Sequence, residues 1–251
     1  MTKEFIDEST FHVNREDIPY FSLGYRLNSD VPFRLSFEDL RTGVVVGVSN
    51  HNQSEKFIKT LLRGLTTFHS NKCIETHMTT LHDDTKELAK TFTLDVHKQY
   101  DSNGSIISLI KQLNYEIKLR ESLFNSYDVG NLRAYHQLTS EQAPQVEYKL
   151  VILDDLDTLI DKDSMLKEIM RIFHKGADLG IIIIGMTRFS DLDILQHLLT
   201  VAKQRIIFET QNESDSECMI RYGDAMQLKN YEFIYYNKET IRDSRLAYRD
   251  A

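Results

Sequence analysis

The chain has 251 residues, 41% hydrophobic and 27% charged, which is the balance of a folded globule and excludes whole-chain disorder. Thirty basic against thirty-eight acidic side chains give a net charge of −8, which argues against a protein that grips nucleic acid mainly by neutralising phosphates. Three prolines and ten glycines are few for an all-β fold, and two distant cysteines, Cys73 and Cys218, make neither a disulfide framework nor a zinc site and suit a reducing compartment.

In chain order, the first apolar run is Gly43-Val44-Val45-Val46-Gly47-Val48, which predicts a strand buried on both faces. Ser49-Asn50-His51-Asn52 has turn and cap chemistry, and Phe57, Ile58, Leu61, Leu62 and Leu65 then recur at helical spacing. A weaker strand is expected near Cys73–His77, and a long helix from Ser105 to about Tyr127 with Lys111, Glu116, Lys118 and Glu121 between its apolar positions. Residues 129–145 read as a connection with short helical turns. Leu150-Val151-Ile152-Leu153 predicts a second buried strand, followed by a helix over Ser164–His174. Gly180–Gly185 predicts a third strand, Asp191–Leu199 a helix, and Arg205–Phe208 a fourth strand. Phe233–Tyr236 reads as a fifth strand, at an edge. Alternating strands and helices imply one α/β domain with a mostly parallel sheet covered on both faces. No run reaches the ~18 apolar residues of a membrane span, and the first residues carry Lys3, Glu4, Asp7 and Glu8 rather than the apolar segment of a signal peptide.

In an open parallel sheet, ligands collect at the carboxyl ends of the strands. Gly47 to Ser54 stands where a phosphate-cradling loop would be, and Asp154-Asp155 where a magnesium-holding pair would be. A phosphate loop needs Gly-x-x-x-x-Gly-Lys-Ser/Thr, so that backbone N–H groups close round an anion and a lysine reaches the outer phosphates. Here Gly47 and Ser54 keep the first and last positions, but Asn52 replaces the second glycine and Gln53 the lysine. The plain alternative is an ordinary strand-to-helix turn. The aspartates are equally open, since carboxylates after a buried strand often cap the next turn, and Asp157, Asp161 and Asp163 extend them into a segment read as solvated. Asp101-Ser102-Asn103-Gly104 reads as a turn rather than a calcium loop. The histidines at 77, 82 and 97 are too irregularly spaced for a metal site, and His51 and His174 read as surface or core-edge residues.

Taken together, these pieces resemble the FtsK/SpoIIIE family of P-loop ATPases over nearly the whole chain. The resemblance runs from Leu23-Gly24 and Phe37-Glu38-Asp39-Leu40 through the loop at 47–54, Glu121-Ser122-Leu123-Phe124 and Val129–Leu132 with Tyr135. It continues with Leu150–Asp155, Lys175–Ile181, Met186-Thr187-Arg188, Gln204–Phe208 and Asp215-Ser216. It implies a P-loop NTPase-like fold of the RecA/FtsK type: lead-in strands in 1–42, a core over 43–236, and a carboxyl-terminal tail over 237–251. The departures fall on catalytic positions. Gln53 stands for the Walker A lysine, Asp155 for the Walker B glutamate, Ala177 and Glu217 where arginines are usual, and Thr187 near a sensor glutamine. Such losses remove transition-state stabilisation worth orders of magnitude in rate.

Within the family, the pattern is most similar to the degenerate last ATPase module of the coupling proteins of type VII (ESAT-6-like) secretion. That resemblance implies a module that binds rather than hydrolyses, with no cofactor, in the cytoplasmic part of a membrane-anchored bacterial protein. Its implied partners are the carboxy-terminal signals of small helical WXG100-type substrates, preceding ATPase modules of the same parent and further copies of that parent, with no nucleic acid. The alternative is an active but unconventional ATP-binding motor, with Mg²⁺ held by Asp154 and Ser54 and the site completed by Lys56 or a partner's arginine.

Overall fold

The unbroken apolar runs become the middle of one ten-stranded sheet. The computed structural model describes residues 19–26, 32–69, 74–92, 98–138, 144–159, 163–189, 192–221, 223–229, 232–238 and 242–247. Cys73, His97, Asp161 and Asp191 lie outside them. The strands are β1 (Tyr20–Arg26), β2 (Pro32–Ser36), β3 (Val44–Gly47), β4 (Ile74–Thr79), β5 (Lys98–Tyr100), β6 (Tyr148–Leu153), β7 (Ile181–Thr187), β8 (Gln204–Ile207), β9 (Glu232–Asn237) and β10 (Arg242–Ala247). The helices are α1 (His51–His69), α2 (Asp83–Thr91), α3 (Asn103–Ser126), α4 (Leu132–Leu138), α5 (Leu156–Leu159), α6 (Asp163–Lys175), α7 (Leu192–Val201) and α8 (Glu213–Ile220).

Across the sheet the order is β2-β1-β10-β9-β8-β3-β7-β6-β4-β5. The block from β8 to β5 is parallel, and β9, β10, β1 and β2 extend it antiparallel. Every residue of β6 and β7 is buried, as the apolar runs Leu150–Leu153 and Ile181–Ile184 require of strands covered on both faces. On one face α3 packs on α6, α6 on α7 and α7 on α8; on the other α1 packs with α2, as right-handed crossovers running in opposite directions demand. The predicted stripe of α1 is fully buried at Phe57, Ile58, Leu61, Leu62 and Leu65. Each such side chain contributes roughly 1.5–3 kcal/mol by leaving water. Gly180 turns the chain into β7 at φ 77, a left-handed conformation where a side chain would also strike Leu132.

Three expectations are corrected. β9 is not an edge strand: it pairs with β8 on one side and β10 on the other, and Tyr235 and Tyr236 are buried. The stretch read as a tail contains β10, which joins β9 to the lead-in strand β1, so the two ends of the chain close the same flank of the sheet. Ser102 does not sit in a free turn but caps α3. Its hydroxyl accepts the Ser105 N–H while the Ser105 hydroxyl accepts the Ser102 N–H, a capping box.

The amino edge of the parallel block carries a half-buried ionic network. Lys149 lies 3.0 Å from Glu75 and 2.7 Å from Glu116, and Arg120 holds Glu116 at 2.6 Å while donating to the Leu179 carbonyl. His77 Nε2 is 2.9 Å from Glu75, and His77 Nδ1 is 2.9 Å from the Tyr100 hydroxyl. His77, and then Lys149, hold the Glu75 carboxyl down at about 2 against burial.

Candidate functional site

Parallel pairing sets the carboxyl ends of β3, β7 and β6 side by side, with Gly47 opposite Thr187 and Leu153 opposite Gly185. Residues just beyond those ends therefore meet. The turn after β3 is short. Val48 donates its N–H to the Thr187 carbonyl, and α1 begins at His51, with the Asn50 side chain accepting the Gln53 N–H at 3.1 Å. Gln53 folds its amide oxygen back onto the Ser49 N–H at 2.7 Å, taking up a donor that a phosphate loop would aim at an anion. The Ser49 hydroxyl donates to the Glu209 carbonyl. Ser54 is buried and its hydroxyl donates to the His51 carbonyl at 2.9 Å, while Asn52 stays exposed on the first turn. A Cβ at Gly47 would sit 2.5 Å from the Phe189 ring, so that ring lies directly over the glycine.

The aspartates follow β6 and differ sharply. Asp154 is completely buried, and its backbone N–H donates to the Thr79 hydroxyl at 2.7 Å. Neither of its carboxylate oxygens has a hydrogen-bond donor among the described residues; the nearest cation, Arg188 Nη2, is 3.6 Å away. Burial raises the Asp154 pKa, with Arg188 and His82 pulling the other way. Asp155 takes φ 61, a left-handed conformation that aspartate tolerates better than most residues. Its Oδ2 accepts Arg188 Nη1 at 2.8 Å and lies 3.0 Å from His82 Nε2.

Arg188 ties the site together. Nη2 donates to His51 Nδ1 at 2.9 Å, which places the proton of a neutral His51 on Nε2. The His51 and His82 rings meet edge to face at 4.7 Å. Asp157 fixes the base of the arginine, accepting the Thr187 hydroxyl at 2.6 Å and the Arg188 N–H at 2.8 Å. Phe189, next in the chain, has φ 62, which is costly for a bulky residue and is held by the surrounding contacts. A single guanidinium thus spans from the first residue of α1 to the carboxylate pair. Among the described residues no group of three or more His, Cys, Asp or Glu side chains is arranged to hold a metal ion.

All eight residues singled out from the sequence lie at this edge of the sheet. Gly47, Gln53, Ser54, Asp154, Asp155, Thr187 and Arg188 make the contacts above, whereas Asn52 faces outward. Sequence reasoning missed His51, His82, Asp157 and Phe189. Asp157 is not solvated, and His51, although exposed, is an arginine partner. The available signal was position: each stands within a few residues of the carboxyl end of β3, β4, β6 or β7.

No family model matches the chain. Over 119 residues it is 27% identical to the ESX secretion system protein EccC of Geobacillus thermodenitrificans, a stretch that is 46% of this chain and 8% of that protein. Among solved structures, the cytoplasmic domain of the Thermomonospora curvata type VII secretion ATPase EccC superposes with a TM-score of 0.75 at 16% identity, covering 94% of this chain and 30% of that one. The pCW3 conjugation coupling protein TcpA, in a monomer form with ATPγS, gives 0.74 at 13% identity over 93% of this chain and 66% of that one. ATPases 2 and 3 of T. curvata EccC, in complex with a signal sequence peptide, give 0.64 at 14% identity over 92% and 41%. The fold is the mostly parallel, P-loop NTPase-like fold of these ATPase modules.

Proposed function

We propose that this chain is an ATPase-like module of an EccC/EssC-type secretion coupling protein, one that binds substrate signals and does not turn over ATP. The observation that carries this reading is the position of Arg188, whose guanidinium bridges His51 and Asp155 between the amino end of α1 and the carboxylate pair. In a P-loop ATPase that space belongs to the outer phosphates and their magnesium. The residues present do not fit such a group. The Gln53 amide is spent on Ser49, the Ser54 hydroxyl on the His51 carbonyl, and the Asp155 charge on the arginine. Reopening the site would mean breaking a charge-assisted hydrogen bond at each end of the guanidinium.

The recognition half of the proposal draws on the T. curvata EccC structure that holds a signal sequence peptide. The ligands proposed for this chain are the carboxy-terminal signals of small helical WXG100-type proteins. Its proposed setting is a larger, membrane-anchored parent with further ATPase modules; no helix among the described residues is long and apolar enough to cross a membrane. ATP hydrolysis by the chain with Mg²⁺ tests the first half. Rates equal to those of Asp155→Ala are expected, and turnover that this substitution abolishes overturns the reading. Pull-down of WXG100 proteins with and without their carboxyl tails tests the second half, and tail-independent or absent capture overturns it.

A second reading, an active ATP-binding motor, is favoured by one feature. The buried Asp154 carboxylate lacks a hydrogen-bond donor among the described residues, as a carboxylate reserved for a metal-bound water would. Calorimetric binding of Mg–ATP that Asp154→Asn removes would select it.

A further inference from the structure

We infer that the outer face of α3 is a docking surface for an acidic amphipathic helix. Of the six large apolar side chains exposed among the described residues, Ile107, Tyr115 and Leu119 lie on this one helix, at 39%, 64% and 51% exposure. Lys111 stands four residues after Ile107 and four before Tyr115, and Lys118 three after Tyr115, spacings that place neighbours on one side of a helix. Exposed positions of α3 include no aspartate or glutamate. Its two glutamates turn inward, Glu116 to Arg120 and Lys149, Glu121 to Arg171 and Lys175. A solvated helix gains from Glu–Lys pairs at this spacing; here the acids are withdrawn, and Lys111 and Lys118 have no carboxylate partner among the described residues.

The contrast is with the chain as a whole. Its net charge is −8, and the exposed carboxylates of α2 (Asp83, Asp84, Glu87) and α8 (Glu213, Glu217) stand on other elements, with Asp83 and Glu87 paired to Lys86 and Lys90. The exposed charges of α3 are Lys111 and Lys118, which makes its outer face a cationic, partly apolar strip on an acidic molecule. Charge complementarity selects its occupant: a helix with apolar residues three and four apart, flanked by carboxylates. A second copy of the chain is a poor fit, because two-fold pairing centred on this face would bring the lysines of one copy, Lys111 and Lys118, onto those of the other with no exposed carboxylate of α3 to answer them. An anionic membrane is also a poor fit, since such recognition uses clusters of about four to eight basic residues and α3 presents two.

The assignment rests on the reading of the chain as a binding module. The probe is a fluorescent 20-residue helical peptide with leucines at i, i+3, i+4 and i+7 beside glutamates, and its counterpart with lysines in place of the glutamates. Anisotropy titrations with the whole chain should show the glutamate peptide binding, more weakly as salt rises, and the lysine peptide not binding. The Tyr115→Ala/Leu119→Ala pair should weaken binding about tenfold or more, and the Lys111→Glu/Lys118→Glu pair should reverse the preference between the peptides. Near-native melting temperatures would show that these exposed substitutions leave the fold intact. Equal binding of both peptides, binding of neither, or affinities untouched by both double variants overturns the proposal. So does Lys111- and Lys118-dependent binding to phosphatidylserine vesicles without peptide binding. If the peptide fails while WXG100 tails are still captured, the module reading stands and only this surface falls; ATP turnover would do the reverse.

Discussion

The parallel sheet carries an ionic cluster at each edge, and the two are built on opposite terms. At the amino edge each charge of Glu75, Lys149, Glu116 and Arg120 meets a partner within 3.0 Å, on regular strands and a regular helix. At the carboxyl edge Asp154 is buried with its nearest cation at 3.6 Å, and Asp155 and Phe189 both adopt positive φ. The first is what a protein builds to hold strands together. The second keeps an underpaired carboxylate and strained backbone at the carboxyl ends of the strands, where ligands collect in an open parallel sheet, a pattern that marks functional sites.

The sharpest way to break this comparison is at the amino edge. Lys149→Met should destabilise the fold by about 2–3 kcal/mol, below the ~3–5 kcal/mol of a fully buried pair because both glutamates keep some solvent contact. Urea unfolding at pH 7 measures it. The same edge predicts an acid response. Because Glu75 is held at about 2, below its ordinary 4.5, its stabilisation is fully present above pH 4.5 and is lost as pH falls towards 2. The stability gap between the parent and Glu75→Gln should close over that window.

At the carboxyl edge the expected effects are smaller. Arg188→Ala should cost on the order of 1–2 kcal/mol, by leaving Asp155 without its guanidinium. Millimolar Mg²⁺ should restore roughly 1.4 kcal/mol in the variant alone, the amount that a metal at about ten times its Kd supplies. Smallest, and opposite in sign, is Asp154→Asn. Burial raises the folded pKa of Asp154, so its charged form destabilises the fold at neutral pH and is relieved as pH falls through that raised value. The variant should gain about 1 kcal/mol at pH 7, shrinking towards low pH; loss of stability instead would show that the carboxylate has partners it needs.

The sequence reveals the elements whose residues carry a strong period. The valines of β3, the isoleucines of β7 and the α1 stripe are legible because burial on one or both faces leaves no other composition. β10, with Arg242, Asp243 and Arg245, has no apolar run, and its place beside β9 depends on pairing between the chain's two ends. The site divides the same way. Gln53 and Asp154-Asp155 are visible as residues that follow buried strands. The Arg188–His51–His82 contacts depend on β7 lying between β3 and β6, with β4 beyond β6, an order that no local pattern encodes.

A calorimetric titration of the chain with Mg–ATP, set beside the same titration of Arg188→Ala, tests most directly whether the arginine has taken over the nucleotide's place. The account predicts no binding heat from the parent chain at millimolar ligand, and measurable binding only once the guanidinium is gone. Micromolar binding by the parent, weakened when Arg188 is removed, would contradict it, because the arginine would then be a nucleotide ligand.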